Sequence, residues 1–194
     1  MRVLTGIADD PFPDFNPGVA PMDVVLELDG PAENLIVDRA ASFLGPLVAA
    51  VEPLIDPRAS GAVFGRPQQI IGGPHSALRY LYLMRRRSDL SHAAYLDHFF
   101  HHHSTYAFHL TGIRAYTQVH LDPEATARLA QAVGLDDIGL DSITDLSIDS
   151  LDAFFIGVAP AAAEASTDEL RFVDRHRSVS FCATDRPVRP ASEH

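Results

Sequence analysis

From Leu78 to Thr184 the hydrophobic period of the chain keeps changing, and the order of the changes admits few folds. Leu78, Tyr80, Tyr82 and Met84 alternate with the residues between them, the period-2 pattern of a strand that runs to Arg86. Ser91 is placed to cap a helix from His92 to about Leu110, which Gly112 stops. Ile113–His120 reads as a second strand, and Asp122-Pro123 opens a short helix to about Val133, with proline at a favoured first-turn position. Asp141–Asp149 is a third strand, with Ile143, Leu146 and Ile148 as its apolar residues. Ser150 caps a helical region that reaches about Val173 with an interruption near Pro160, and Ser178–Thr184 is the last strand. The order is β-α-β, an inserted helix, then β-α-β.

That order is the split βαβ, ferredoxin-like one: an α+β chain with an antiparallel sheet and helices on its outer face. Both helices on one face leave the other face apolar and in need of a second layer. Residues 1–74 are expected to supply part of it. They read as a short strand Arg2–Ala8, a proline-broken loop Asp9–Pro21 and a strand Asp23–Asp29. A helix from about Ala32 to Val51, kinked or split at Pro46, and an extended stretch Ser60–Ile71 complete the segment. Leu54-Ile55-Asp56-Pro57-Arg58 with Ser60 and Phe64 mirrors Phe172-Val173-Asp174-Arg175-His176 with Ser178 and Phe181. The same offset relates Val24–Asp29 to Ile143–Asp149, so residues 1–74 read as a degenerate half-unit of the same fold. The expected organisation is that half-unit, a main domain over 75–185 and a tail over 186–194. An incomplete copy cannot cover a four-stranded sheet, so a homodimer is expected.

Composition narrows the chemistry. All 15 basic residues of the 194 are arginine, which leaves no lysine for a Schiff base, a PLP anchor or a phosphate-binding loop. With 26 acidic residues the net charge is −11, which argues against nucleic acid as a partner. Cys182 is the single cysteine, so an intrachain disulfide and an all-cysteine metal site are both excluded. No apolar run is long enough to span a bilayer and the N-terminus does not read as a leader, so a cytoplasmic protein is expected.

The stretch from Tyr80 through Arg85-Arg86-Arg87 to Leu90-Ser91 is a strand, a basic turn and a helix cap; Tyr95, Phe99 and His103 follow, then Ile113–His120. Together with Asp149-Ser150-Leu151 and Asp168–Asp174, these motifs resemble the EthD family of the dimeric α/β-barrel superfamily over roughly residues 77–185. Two positions depart from the family pattern: Phe99 stands where many members have tryptophan, and His101–Thr105 replaces a charged-x-His-x-Pro run. The resemblance implies a barrel formed sheet to sheet, by dimerisation or by tandem units. It also implies one of several activities: an accessory role in ether degradation, decarboxylation or cyclisation of aromatic polyketides, or an oxidoreductase function.

Six of the ten histidines lie between His92 and His109. At helical spacing Leu96, Phe100, His103, Ala107 and Leu110 form one apolar stripe bordered by Tyr95, Phe99 and Tyr106, which turns His103 toward the sheet. There an imidazole is either a satisfied core group or an acid/base in a pocket, and the family position favours the latter. His98, His102 and His109 share another face, read as partly solvated; a metal there needs a further ligand, and an axial haem histidine is the alternative. Tyr80 and Tyr82 share one strand face, and Tyr116, Gln118 and His120 share another. On adjacent strands these make an aromatic pocket suited to a phenolic ligand, with Phe99 beside it and Arg86 available for an acidic group.

The expected function is acid/base chemistry without a cofactor (decarboxylation, cyclisation or isomerisation) on a hydrophobic aromatic or polyketide-like molecule, with His103 and Tyr116 catalytic. The alternatives are a non-catalytic ligand-binding or accessory protein, and a haem- or metal-binding oxidoreductase. The ten acids between Asp136 and Asp174 read as solvated surface, and Cys182 as an inert core residue.

Overall fold

A computed structural model describes residues 1–12, 19–30 and 36–187. Its strands are β1 (Arg2–Gly6), β2 (Val24–Glu27), β3 (Gly65–Ile71), β4 (Leu78–Met84), β5 (Ile113–Leu121), β6 (Ser142–Ile148) and β7 (Val179–Pro187). Four α-helices are described: α1 (Val37–Val51), α2 (His92–His101), α3 (Pro123–Val133) and α4 (Leu151–Glu169). The chain is mixed α+β, and one antiparallel sheet in the order β2-β1-β7-β4-β6-β5-β3 organises it.

The middle of this sheet, β7-β4-β6-β5, comes from the second part of the chain, and the first part extends both edges. The β1–β2 hairpin pairs through β1 with β7, while β3 pairs with β5 at the far side. Segment 1–74 thus joins the main sheet, with its strands divided between opposite edges. The last strand runs past the expected Thr184 because β1 supplies a ladder for it, from Gly6 opposite Ala183 to Arg2 opposite Pro187. The expected start of the first helix at Ala32 and the tail beyond Pro187 lie outside the described residues.

The two faces of the sheet differ. Leu81, Leu83, Val179, Phe181 and Leu4 are buried on the face away from α2 and α4, packed with Met22, Val25, Val63 and Ile138 of the same chain. The apolar face that suggested a second copy is therefore covered within one chain. That face also holds a fully buried arginine, Arg79, in a bidentate pair with Asp145 (Nε to Oδ1 2.7 Å). Asp185 lies 3.4 Å and Glu27 3.6 Å from the same guanidinium.

On the other face α2 lays Tyr95 and Phe99, both fully buried, against Tyr82, Met84 and Phe172. The expected continuous helix to Leu110 does not form. α2 ends at His101, and a 3-10 turn carries His103–His109. Two hydroxyls accompany the break: Ser104 Oγ donates to the Phe100 carbonyl and Thr105 Oγ1 to the His102 carbonyl, a local competition with helical bonding. Within α2 the buried line runs through Tyr95 and Phe99, with the expected Leu96 and Phe100 half-buried beside it.

Two glycines set how closely the following loop approaches α4. Gly112 has φ +75°, and a Cβ on it would stand 2.4 Å from the Ala153 carbonyl oxygen. At Gly157 a Cβ would stand 1.9 Å from the Thr111 carbonyl oxygen. Among the described residues no helix is long and apolar enough to cross a membrane.

Candidate active site

Between the sheet and α4 lies a cavity of about 1170 Å³. Small side chains make the room: α4 presents Ala161, Ala162, Ala165 and Ser166 to it, where larger residues would fill the gap to the sheet. The floor is the strand face expected from the period-2 pattern, with Tyr80 and Tyr82 from β4, Tyr116 from β5 and Leu146 from β6. Phe12 closes the apolar end, its ring 4.7 Å from Tyr80 and 5.8 Å from Phe154. The other end is polar and carries Arg87, Asp89, Glu169, Asp174, Arg175 and His176.

His103 lines the cavity from the 3-10 turn, beside Tyr106 and Phe172. Its partner is neither a strand carbonyl nor a tyrosine. Nδ1 lies 3.0 Å from Asp168 Oδ2 on the last turn of α4. An ionised carboxylate only accepts, so Nδ1 carries the proton and donates, which leaves Nε2 as a lone pair. The nearest charged group to Nε2 is Glu169 Oε1, at 3.9 Å. Burial holds the His103 pKa below the ordinary histidine value, and the bond to Asp168 opposes this only in part, so the ring is neutral near pH 7.

Asp168 and Glu169 are neighbours in opposite situations. Burial acts to raise the Asp168 pKa, but hydrogen bonds from His103 and from His98, whose Nε2 is 3.0 Å away, outweigh it and hold the carboxyl below its ordinary value. Glu169 faces the cavity, and burial pushes it up to about 7 against the opposing charge of Arg175. Arg175 Nη2 is 2.9 Å from Glu169 Oε2 and the guanidinium also hydrogen-bonds Tyr82. Burial raises all three floor tyrosines, Tyr80, Tyr82 and Tyr116, so each is a neutral phenol at physiological pH.

The other expected site residues form a supporting layer. Gln118 is fully buried; its Nε2 donates to the Phe99 carbonyl (3.0 Å) and to the Tyr116 hydroxyl (2.8 Å). Its Oε1 accepts from His120 Nε2 at 3.0 Å. Phe99 packs under His103, ring centroids 6.2 Å apart, and is not exposed to the cavity. Arg86 stands just past the end of β4, its Nε 3.5 Å from Asp141, and is not among the lining residues. The acid run is not all solvated surface: Asp141, Asp145 and Asp168 are buried and paired, because their partners come from distant segments. His98 stacks on His102 (ring centroids 5.2 Å) on a partly solvated face and is also held by Asp168, while His102 and His109 are exposed. Among the described residues no group of three or more His, Cys, Asp or Glu side chains is arranged to hold a metal ion.

Sequence reasoning missed Glu169 and Arg175. Glu169 lies within the Asp168–Asp174 motif and Arg175 directly follows it, but charge counting cannot tell a buried acid or its partner from their neighbours. No curated protein matches the chain significantly. Residues 87–176, which hold His103, Asp168, Glu169 and Arg175 together, match the family model of the EthD domain.

Proposed function

We propose that the cavity binds an aromatic or polyketide-like small molecule and moves protons on it without a cofactor, in a decarboxylation, cyclisation or isomerisation. The observation that carries this reading is the His103 imidazole, held by Asp168 at Nδ1, with its Nε2 side 3.9 Å from a carboxyl whose pKa lies at about 7. His103 Nε2 takes a proton from the bound molecule, and Asp168 stabilises the imidazolium that forms. Glu169 in its protonated state donates to the oxygen or carbon where negative charge develops. Tyr116, a neutral phenol oriented by Gln118, donates a hydrogen bond rather than a proton, and Tyr80 and Tyr82 stack on the ring system. The strand order β7-β4-β6-β5 suits a ferredoxin-like unit, and we read residues 1–74 as its degenerate half-copy.

Incubation of the purified protein with aromatic β-keto acids in D2O tests the reading by mass spectrometry. Deuterium incorporation or CO2 release is expected, falling about 10²–10⁴-fold in His103→Gln. Binding of the panel without exchange or turnover would favour the accessory, ligand-holding alternative. A Soret band on adding haemin that disappears in His103→Ala would instead assign the imidazole as an axial ligand.

A further inference from the structure

We propose that the cavity selects an amphipathic anion, an aromatic or polyketide-like carboxylic acid, whose carboxylate takes the Arg175 guanidinium from Glu169 while its apolar body lies over Tyr80, Leu146 and Phe154, so that binding delivers a proton to Glu169. The inference rests on the cavity being the ligand site, as proposed above.

The cavity is graded in polarity. Phe12, Phe154, Leu146 and the alanines of α4 form one end, and the other carries Arg87, Asp89, Glu169, Asp174, Arg175 and His176. Arg87 is taken by Asp89 at 2.8 Å, which leaves Arg175 as the cation a ligand can meet there. A ligand that matches that residue and the apolar end has an apolar body and an anionic terminus. Arg175 is the group placed to receive the terminus: its side chain is 38% exposed at the mouth, while its Nη2 reaches inward to Glu169 at 2.9 Å. A guanidinium presents a planar fork of donors suited to a carboxylate, so an incoming carboxylate competes with Glu169 for the same edge.

Glu169 cannot remain charged without that cation. Asp168 adjoins it on α4, the hydroxyls of Tyr80, Tyr82 and Tyr116 face it from the floor, and His103 Nε2 lies 3.9 Å away on the 3-10 turn. His103 is neutral near pH 7, and Asp168 is an anion already engaged by two histidines. Drawing Arg175 onto a second carboxylate leaves a buried anion beside another anion, and Glu169 takes up a proton. Its resting value of about 7 means that a small further rise completes the protonation. The acid is then loaded only when the ligand is in place.

Calorimetric titration with 2-naphthoate and its uncharged isostere 2-naphthamide at pH 7.5, in two buffers of different ionisation enthalpy, tests this. The wild type is expected to bind naphthoate at least about tenfold more tightly, a difference of about 1.4 kcal/mol. It should take up to about three quarters of a proton, the fraction of Glu169 ionised at pH 7.5. Arg175→Gln should lose the preference for naphthoate and keep its affinity for naphthamide. Glu169→Gln should bind naphthoate more tightly than the wild type, with no proton uptake; should Arg175→Gln not fold, this arm decides alone. Equal affinity for the two probes, or proton uptake that persists in Glu169→Gln, would overturn the proposal while leaving the cavity as a binding site. Failure of both probes to bind would overturn the ligand-site reading beneath it, and the proposal with it.

Discussion

Replacing Glu169 by glutamine should change how stability responds to pH, in a direction and size fixed by the carboxyl's surroundings. The side chain is 18% exposed, and its pKa rises from 4.5 to about 7, chiefly through burial and against the charge of Arg175. Because the folded value lies above the unfolded one, the native state holds its proton longer than the unfolded chain. The associated stability is fully present below pH 4.5 and is lost as pH rises through about 7. At about 1.36 kcal/mol for each pH unit between these values, the loss is about 3 kcal/mol. Glutamine keeps the shape and never ionises. Urea melts from pH 4 to 9 should therefore show the Glu169→Gln protein gaining on the wild type between pH 4.5 and 7, with a plateau by about pH 8. Only the pH-dependent part bears on the carboxyl, since any change in packing adds a constant offset. A difference that stays flat across this window would mean that Glu169 is hydrated, and would remove it as a proton donor near neutrality.

His103 acts with the opposite sign: burial, partly offset by Asp168, holds it below 6.5, so its contribution is present above that pH and lost as pH falls through it. In a Glu169→Gln background, which silences the opposing titration, His103→Phe should flatten the stability curve between pH 7 and 5, and a parallel curve would refute a buried neutral imidazole. Arg79→Met should cost roughly 3–5 kcal/mol in urea melts by stranding Asp145 beneath the sheet, and Arg79→Met/Asp145→Leu should recover part of it. A loss under about 1 kcal/mol would mean the carboxylates are reached by water. Gly157→Ala puts a Cβ 1.9 Å from the Thr111 carbonyl oxygen; it should cost about 1–3 kcal/mol and weaken naphthamide binding by moving α4 off the cavity, and unchanged affinity would separate the two effects.

The strands that build the cavity floor were legible because a period of two is a local signal. β4, β5 and β6 begin within a residue of where alternation placed them, and Tyr80, Tyr82 and Tyr116 line the cavity floor together. Helix ends were less legible, for reasons that a propensity count does not contain. α2 stops at His101, where Ser104 and Thr105 turn their hydroxyls back onto helix carbonyls. α4 runs through Pro160, which removes the bond to the carbonyl of Ile156, and Ile156 is 74% exposed, so water is at hand for that carbonyl. The covering of the second sheet face was illegible for a different reason. Met22, Val63 and Ile138 come from loops separated widely in sequence, and no period announces that they converge.

The pair Asp168–Glu169 shows how a fold makes chemistry from residues a sequence cannot rank. Both are acids in one turn of α4, yet adjacent helical positions point about 100° apart. One side meets His98 and His103, the other meets the cavity and Arg175. Two hydrogen bonds from imidazoles hold the first carboxyl ionised, while burial moves the second up to about 7. A histidine that needs a permanent anion behind it and a proton donor before it obtains both from consecutive residues of one helix end. The rotation between the two positions, rather than their shared acidity, divides the roles. The 3-10 turn after α2 sets His103 with Nδ1 on Asp168 and its Nε2 side toward Glu169.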